Sequence, residues 1–342
     1  MSPKKLIYDL TQEQIRDILK AHDVPKFTAK QIFSWLYAKS VFSPMDFSNI
    51  SKSNRELIAN IFDFTLPEIV KKETDPNDKT VKYLLRTSQG RAIETVVMDS
   101  LDHKTQCIST QDGCALGCDF CLTGNYGFKG DLSPGEIVSQ VLISIKNDNI
   151  KRKNLVFMGM GEPLMNVDNV IRSVEILSHE EGLDYGMRRI IISTVGILKP
   201  LKKLLNRFPK IGIAISLNGV PGERGKLMPV EKTHPIVAIT NFYTAHREYR
   251  RPTFEYVLIK GVNSSTEDAE KLLNFVEPVR CKINLIPYNE NPNLKYRPPS
   301  EVELNAFIRI LNKGRNAVTV RRSNGKDISG ACGQLSGESL AE

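Results

Sequence analysis

A chain of 342 residues in which 41% are hydrophobic has material for one large α/β domain plus a smaller one, or for two modest domains. Its 47 lysines and arginines against 39 acidic residues give a formal net charge of +8, which points to an anionic partner, nucleic acid first. No apolar run reaches the roughly 18 residues of a membrane span, and the opening Met1-Ser2-Pro3-Lys4-Lys5 leads into a polar segment rather than an apolar signal region. A membrane partner is therefore not expected, and a cytoplasmic location with reduced thiols is.

In chain order, residues 1–75 read as helical and separate from the remainder of the chain. Helical periodicity covers 7–19, with Thr11 as N-cap ahead of Gln14, then 27–37 and 51–62. The cations Lys26, Lys30, Lys39, Lys52 and Arg55 suit an RNA backbone and equally suit a solvated packing module. Trp35 reads as core. From Thr80 the period changes to that of strands: 80–86 and 91–98 form a hairpin closed by Ser88-Gln89-Gly90 and carrying Glu94. The expected division is a helical accessory domain over 1–78 that binds RNA, a β-hairpin linker or extension over 79–100, and a catalytic domain over 101–342.

Strand and helix patterns then alternate. Strand-like runs fall at 106–110, 154–158, 189–193, 212–216, 253–259, 282–287 and 318–322. Helical runs fall at 133–145, 167–179, 198–208, 236–249, 266–275 and 300–311, the first with Ser133, Pro134 and Glu136 as cap, first turn and capping box. Six βα units in a row predict a parallel sheet with helices outside, an α/β fold of the incomplete TIM type, (β/α)6.

Three of the six cysteines lie within eight residues, in Gly113-Cys114-Ala115-Leu116-Gly117-Cys118-Asp119-Phe120-Cys121. The C-x3-C-x2-C spacing reads as a ligand loop rather than a disulfide framework. An iron–sulfur cluster suits three thiolates and leaves one iron open. A structural zinc ion would need a fourth ligand, for which Cys107 and His103 are nearest; incidental buried cysteines are the third reading.

In such folds ligands bind at the C-terminal ends of the strands. There the chain offers Met158-Gly159-Met160-Gly161-Glu162-Pro163, Ser193-Thr194, Ser216-Leu217-Asn218 and Tyr288-Asn289. Gly159 and Gly161 allow close backbone approach to a ligand, and Glu162 can accept from an ammonium group. Ser193, Ser216, Leu217, Asn218 and Asn289 complete the candidate cofactor contacts, the polar ones suiting hydroxyls, a carboxylate or a purine edge. Cys332 sits in a small-residue loop after the last strand, Cys107 on the first strand, and Cys281 reads as structural. The runs His246-Arg247-Glu248-Tyr249-Arg250-Arg251 and Arg321-Arg322 are solvated faces or, in an RNA enzyme, phosphate contacts.

The cysteine loop resembles the signature of the radical S-adenosylmethionine (SAM) superfamily, in which a [4Fe-4S] cluster on three cysteines (here Cys114, Cys118 and Cys121) chelates SAM and cleaves it to a 5′-deoxyadenosyl radical. Four further stretches narrow the resemblance to the RlmN and Cfr type of RNA adenine methylases: Cys107-Ile108-Ser109-Thr110-Gln111-Asp112-Gly113-Cys114, Phe157-Met158-Gly159-Met160-Gly161-Glu162-Pro163-Leu164, Lys282-Ile283-Asn284-Leu285-Ile286-Pro287-Tyr288-Asn289 and Ala331-Cys332-Gly333-Gln334-Leu335. The likeness spans residues 80–340 and is weaker before them.

That resemblance implies a reaction using two SAM per turnover. One SAM methylates Cys332; radical chemistry on the S-methyl group then joins enzyme and adenine covalently, and Cys107 resolves the adduct through a transient disulfide with Cys332. Glu94 matches the hairpin glutamate that accepts the ring proton. The motifs look closer to the C2-methylating enzymes than to the C8-methylating Cfr type, which stays the alternative. C2 enzymes act on 23S rRNA in the peptidyl-transferase centre and commonly on the adenosine beside a tRNA anticodon, with an electron donor such as flavodoxin. Asn218 stands where the family often has histidine. Two other classes remain: a different radical SAM enzyme, which would not need Cys107 and Cys332, and a non-catalytic RNA-binding protein with a structural metal.

Overall fold

The protein is described by a computed structural model covering residues 4–100, 103–150 and 153–335. After a turn of 3-10 helix at Ile7–Asp9 come α1 (Gln12–Lys20), α2 (Phe27–Phe33), a π turn at Ser34–Ala38, and α3 (Lys52–Ile61). Thr11 caps α1 as expected: its hydroxyl accepts from the Gln14 amide while the Gln14 side chain accepts from the Thr11 amide. Residues 7–11 therefore precede the helix instead of belonging to it.

The sheet begins earlier than the sequence pattern indicates. Strand β1 (Glu68–Thr74) pairs antiparallel with β2 (Val81–Arg86), β2 with β3 (Ala92–Ser100), and β3 with β4 (His103–Cys107). A register shift between Ile69 and Lys71 breaks the alternation of β1, which hides it among the helical segments. The hairpin strands and β1 extend the sheet of the parallel strands, and the lysines at 71 and 72 lie on its outermost strand, where charge discourages further pairing.

After β4 come α4 (Leu122–Tyr126), α5 (Pro134–Asp148), β5 (Lys153–Phe157), α6 (Val167–Leu177) and β6 (Ile190–Thr194). Next are α7 (Leu198–Arg207), β7 (Gly212–Ser216), α8 (Ile236–Ala245), β8 (Thr253–Leu258), α9 (Thr266–Val276), β9 (Lys282–Pro287), α10 (Glu301–Leu311) and β10 (Ala317–Val320). All ten strands form one sheet in the order β10-β9-β8-β7-β6-β5-β4-β3-β2-β1, parallel from β4 to β10. The α/β reading holds, with α5 to α10 as the six crossovers. Helix α8 stops at Ala245, four residues short of the expected end, and the cationic run beyond it turns down to the start of β8.

Alternation along each strand separates two environments. On β6, Ile190 and Ile192 join the main core; on β8, Phe254, Tyr256 and Leu258 do. Each such side chain stabilises the fold by roughly 1.5–3 kcal/mol on burial. The opposite faces carry Ile191, Ser193, Glu255 and Val257 inward.

The N-terminal helices are not a detached module. Ile7, Ile15, Leu19 and Phe33 share one contiguous core with Ile137 and Val141 of α5, and the Asp9 carboxylate accepts from the Gly135 amide at 2.7 Å. Several cations of this segment are engaged within the protein: Lys30 pairs with Glu181, Lys39 lies 3.6 Å from the centroid of the Trp35 ring, and Arg55 donates to the Met45 carbonyl. Among the described residues no helix is long and apolar enough to cross a membrane.

Candidate active site

One cavity opens at the C-terminal ends of the parallel strands, and successive strands contribute its wall. Cys114, Cys118 and Cys121 line one side; Gly161 and Glu162 come from the loop after β5, Ser193 from β6, Ser216 and Asn218 from the end of β7, Asn289 from the loop after β9, and Cys332 from the C-terminal loop. A single cavity touching all of these requires the sheet to curl, which is the incomplete barrel. Leu217 departs from the expectation: its side chain joins the core, while its amide donates to the Glu255 carbonyl at 2.8 Å.

The cysteine loop is pinned at its base by a bridge between Gln111–Gly113 and Phe128–Asp131. Gly113 has φ +78°, and a Cβ there would lie 1.6 Å from the Gly127 carbonyl oxygen, so only glycine fits. That approach lets the Cys114 amide donate to the same oxygen at 3.0 Å. Burial pushes the Cys114 thiol up to about 12, with Cys121 adding to it. Cys118 is raised too, by burial and then by Cys121 and Cys114.

The buried thiols of Cys114 and Cys118 become thiolates only with a strong positive charge beside them, which the irons of a cluster supply. Among the described residues no three side chains converge as one ion requires, whereas a cubane takes one thiolate per iron. The His103 side chain, a zinc alternative, lies outside the described residues. Tyr288 lines the cavity, and its buried hydroxyl has no protein partner, leaving it for a polar ligand. The donor set fits a cluster with SAM beside it.

Glu162 is 3% exposed. Its carboxylate accepts from the amides of Leu164 and Val195, both at 3.0 Å, and from the Thr194 hydroxyl. Burial raises its pKa, against the pull of those hydrogen bonds. It thereby ties the β5 loop to the end of β6 as well as facing the cavity. The two glycines before it serve the same packing: a Cβ at 159 would meet Ser109 Oγ at 2.6 Å, and one at 161 would meet Gln111 Cβ at 2.5 Å. Close approach is thus to protein as much as to a ligand.

Asn218 adopts a left-handed φ of 54°, which asparagine tolerates better than most residues. Its Oδ1 accepts from the Val257 amide at 2.8 Å and its Nδ2 points at the Met228 sulfur at 3.3 Å. The amide group here holds the ends of β7 and β8 together.

Cys332 and Cys107 both line a second, small cavity with Arg321 and Met158, and both are free thiols; the expected disulfide is not formed in this structure. Burial pushes Cys107 up to about 12; Cys332 adds to this and Arg321 opposes it. Arg321 is held above its ordinary value chiefly by Cys332. It is therefore a neighbour of the two thiols, whereas Arg322 points away and pairs with Glu301 at 2.8 Å.

Glu94 on β3 is 4% exposed and pairs with Lys82 at 3.3 Å. It shares a strand face with Val96, which is paired with Cys107 across the sheet and packs with it, so it lies on the face of the sheet that carries Cys107. Cys281 is buried in the core as expected.

Sequence reasoning missed two residues and gave a third no place beside the cysteines. Arg224, with 0% exposure, donates to the carbonyls of Val195 (2.7 Å), Ser216 (3.0 Å) and Leu217 (3.0 Å) and pairs with Glu231, lacing the ends of β6 and β7. Glu255 lines the cavity from β8 and accepts from Asn284 at 3.1 Å; a carboxylate inside a buried parallel strand was the available signal. Arg321 is the third, and its pairing with Arg322 masked it.

Comparison with known proteins agrees with this geometry. Residues 108–276 match the family described as Radical SAM superfamily, and residues 6–63 match the Ribosomal RNA large subunit methyltransferase N-terminal domain. The chain is 40% identical over 329 residues to a probable dual-specificity RNA methyltransferase RlmN of Dictyoglomus turgidum, covering 94% of each. It is 37% identical to a dual-specificity RNA methyltransferase RlmN of Solidesulfovibrio magneticus, covering 97% of this chain and 96% of the relative. The crystal structure of a radical SAM methyltransferase from Sphaerobacter thermophilus superposes with a TM-score of 0.92 at 39% identity, covering 98% of this chain and 100% of that one. The chain belongs to the RlmN family of radical SAM methyltransferases.

Proposed function

We propose that the protein methylates C2 of an adenosine in RNA, acting on 23S rRNA and on tRNA through a methylated Cys332. The observation that carries this reading is the meeting of the three-cysteine loop and Cys332 on one cavity wall, with Cys107 beside Cys332 in the adjoining one. Radical SAM enzymes outside RNA adenine methylation would not need that second pair of thiols.

When bound, a [4Fe-4S] cluster on Cys114, Cys118 and Cys121 and a SAM at its open iron supply a 5′-deoxyadenosyl radical. Glu162, Ser193, Ser216, Asn218 and Asn289 orient SAM, with Gly161 and the Leu217 backbone shaping the wall. Cys332 takes the methyl group of another SAM on its sulfur and presents it to the base, because C2 of adenine is not nucleophilic enough to take a methyl group directly. Glu94 accepts the proton that leaves C2. Once the methyl carbon, having given up a hydrogen atom, is bonded to C2, Cys107 attacks the Cys332 sulfur. The S–S bond forms as the S–C bond breaks, the released electron pair and a proton complete the methyl group on C2, and the RNA is freed. The helical segment within 1–78 serves as an RNA-binding accessory domain, the hairpin over 79–100 contributes Glu94 to the domain over 101–342, and a flavodoxin-type donor in the cytoplasm supplies electrons.

The names of the relatives support C2 over C8. Anaerobic reconstitution with iron and sulfide, then incubation with SAM, a reductant and rRNA or tRNA, tests both. Mass mapping is expected to find 2-methyladenosine from the wild type and none from Cys332→Ala, whose cluster absorbance persists. 8-Methyladenosine would move the chain to the Cfr type; methylation surviving in Cys332→Ala would refute the reading.

A further inference from the structure

The cationic run after α8 does not stand alone. Arg188 precedes β6, Lys210 precedes β7, Arg250 and Arg251 precede β8, and Arg280 and Lys282 flank the start of β9. These four strands are neighbours in the sheet, about 4.8 Å apart, so four chain segments bring their cations to one rim. Two adjoining clefts of about 480 and 400 Å³ lie there. Their walls carry seven lysines and arginines against one carboxylate, Glu248, which is engaged with His246 at 2.9 Å.

Among the described residues none of the six cations named above has a carboxylate partner within 4.0 Å. Arg250 lies over the start of β7, where Gly212 leaves it room: a Cβ there would meet its Nη1 at 3.1 Å. Its pKa is lowered by burial and then by Arg188 and Arg251. The group thus destabilises itself by like-charge repulsion that an anion would relieve. Tyr249 lines both clefts and stacks on Phe242 with ring centroids 5.7 Å apart, which places an aromatic ring among guanidinium groups.

This rim is the N-terminal end of the barrel, opposite the cavity. Strands of five or six residues separate the two ends by about 17–20 Å. We propose that this rim is a second RNA-docking surface, holding the phosphodiester backbone of an unpaired RNA segment remote from the target adenosine. Paired arginines suit successive phosphates and Tyr249 offers a stacking face to an unstacked base. An electron-donor protein is the poorer occupant, because it would be docked a strand's length from the cluster loop. The proposal rests on the RNA-methylating reading, and its test separates the two.

The full chain with its cluster is compared on two RNAs: a short hairpin containing the target adenosine, and the same hairpin with long single-stranded flanks. Arg250→Gln combined with Arg251→Gln is expected to weaken binding of the flanked RNA about three- to tenfold and to reduce the slope of log K against log salt by about 1.4, at roughly 0.7 per lost single-strand phosphate contact. Affinity for the short hairpin and its methylation remain as in the wild type, and Arg250→Lys with Arg251→Lys keeps most of the slope. An unchanged affinity and slope on the flanked RNA would overturn the proposal, as would equal weakening on both RNAs. Loss of poly-glutamate binding without loss of RNA binding would overturn it in favour of an acidic protein partner. A wild type that binds the flanked RNA with the full slope but methylates neither RNA would refute the methylase reading and leave the surface standing.

Discussion

The side-chain amide of Asn289 donates to the carbonyl oxygen of Cys332 across 3.1 Å, so a residue of the main cavity wall also holds the loop of Cys332, the proposed methyl carrier. That loop is gripped elsewhere too: the Leu122 amide donates to the Gly333 carbonyl at 2.9 Å, the Thr123 hydroxyl to that of Leu335 at 2.6 Å, and the Gln334 side chain to that of Glu290 at 2.9 Å. The cysteine loop, the β9 loop and the C-terminal loop thus form one hydrogen-bonded unit. Placement of Cys332 depends on the order of its neighbours.

Asn289→Ala removes the link to Cys332 and the proposed cofactor contact together. One hydrogen bond contributes about 1 kcal/mol net, so methylation is expected to fall at least about fivefold. Mass analysis of Cys332 and of the RNA product in a single turnover should show both steps slowed. Normal rates in both would show that the bond positions nothing.

The Glu94–Lys82 pair, at 3.3 Å between side chains 6% and 10% exposed, permits two roles for the glutamate. As a proton acceptor it contributes about 10²–10⁴-fold; as the partner of a lysine it contributes to stability alone. Glu94→Gln keeps the shape and removes the basicity. The expected outcome is loss of RNA product by that factor while methylation of Cys332 proceeds, read by mass spectrometry of the enzyme. A product yield within threefold of the wild type would assign Glu94 to the ion pair only.

Much of the fold was legible because repetition is a strong signal: the apolar runs that became β4 to β10 and the caps Thr11 and Ser133 arise from local chemistry. The wall of the cavity was legible from the rule that strand ends carry the ligands. What escaped was non-local. Arg224 reads as one charge in a loop, and only the folded chain shows it bound to three carbonyls of two strands. Strand β1 escaped because a register shift interrupts its alternation, and Arg321 because its value lies in two cysteines that are distant in sequence.

Arg224 carries a prediction of its own. Removing one partner of a buried, hydrogen-bonded ion pair typically costs about 3–5 kcal/mol, and here three carbonyls would lose their donor as well. Arg224→Met should lower the thermal midpoint by several degrees or more and weaken SAM binding, because Ser216 and Val195 line the cavity. Thermal unfolding and SAM titration check it. A midpoint within a degree of the wild type would mean that the rim is held by other contacts.

Lys153, at the start of β5, is 1% exposed and donates to the Ile150 carbonyl at 3.0 Å and to the Ser144 hydroxyl. Burial lowers its pKa from 10.5 to about 7. Between those values the unfolded chain binds a proton that the folded chain does not, so stability rises with pH across that window, by at most about 1.4 kcal/mol per pH unit. The gain is gone once the pH has fallen to about 7, below which the buried ammonium is carried in the fold. Lys153→Met keeps the length of the stem and removes the titration. The variant should be the more stable protein at pH 7, and the gap in thermal midpoint should close as the pH approaches 10. Midpoint curves that run parallel over that range would show that Lys153 keeps its charge, stabilised by groups such as the nearby Asp148 carboxylate, which acts to raise its pKa.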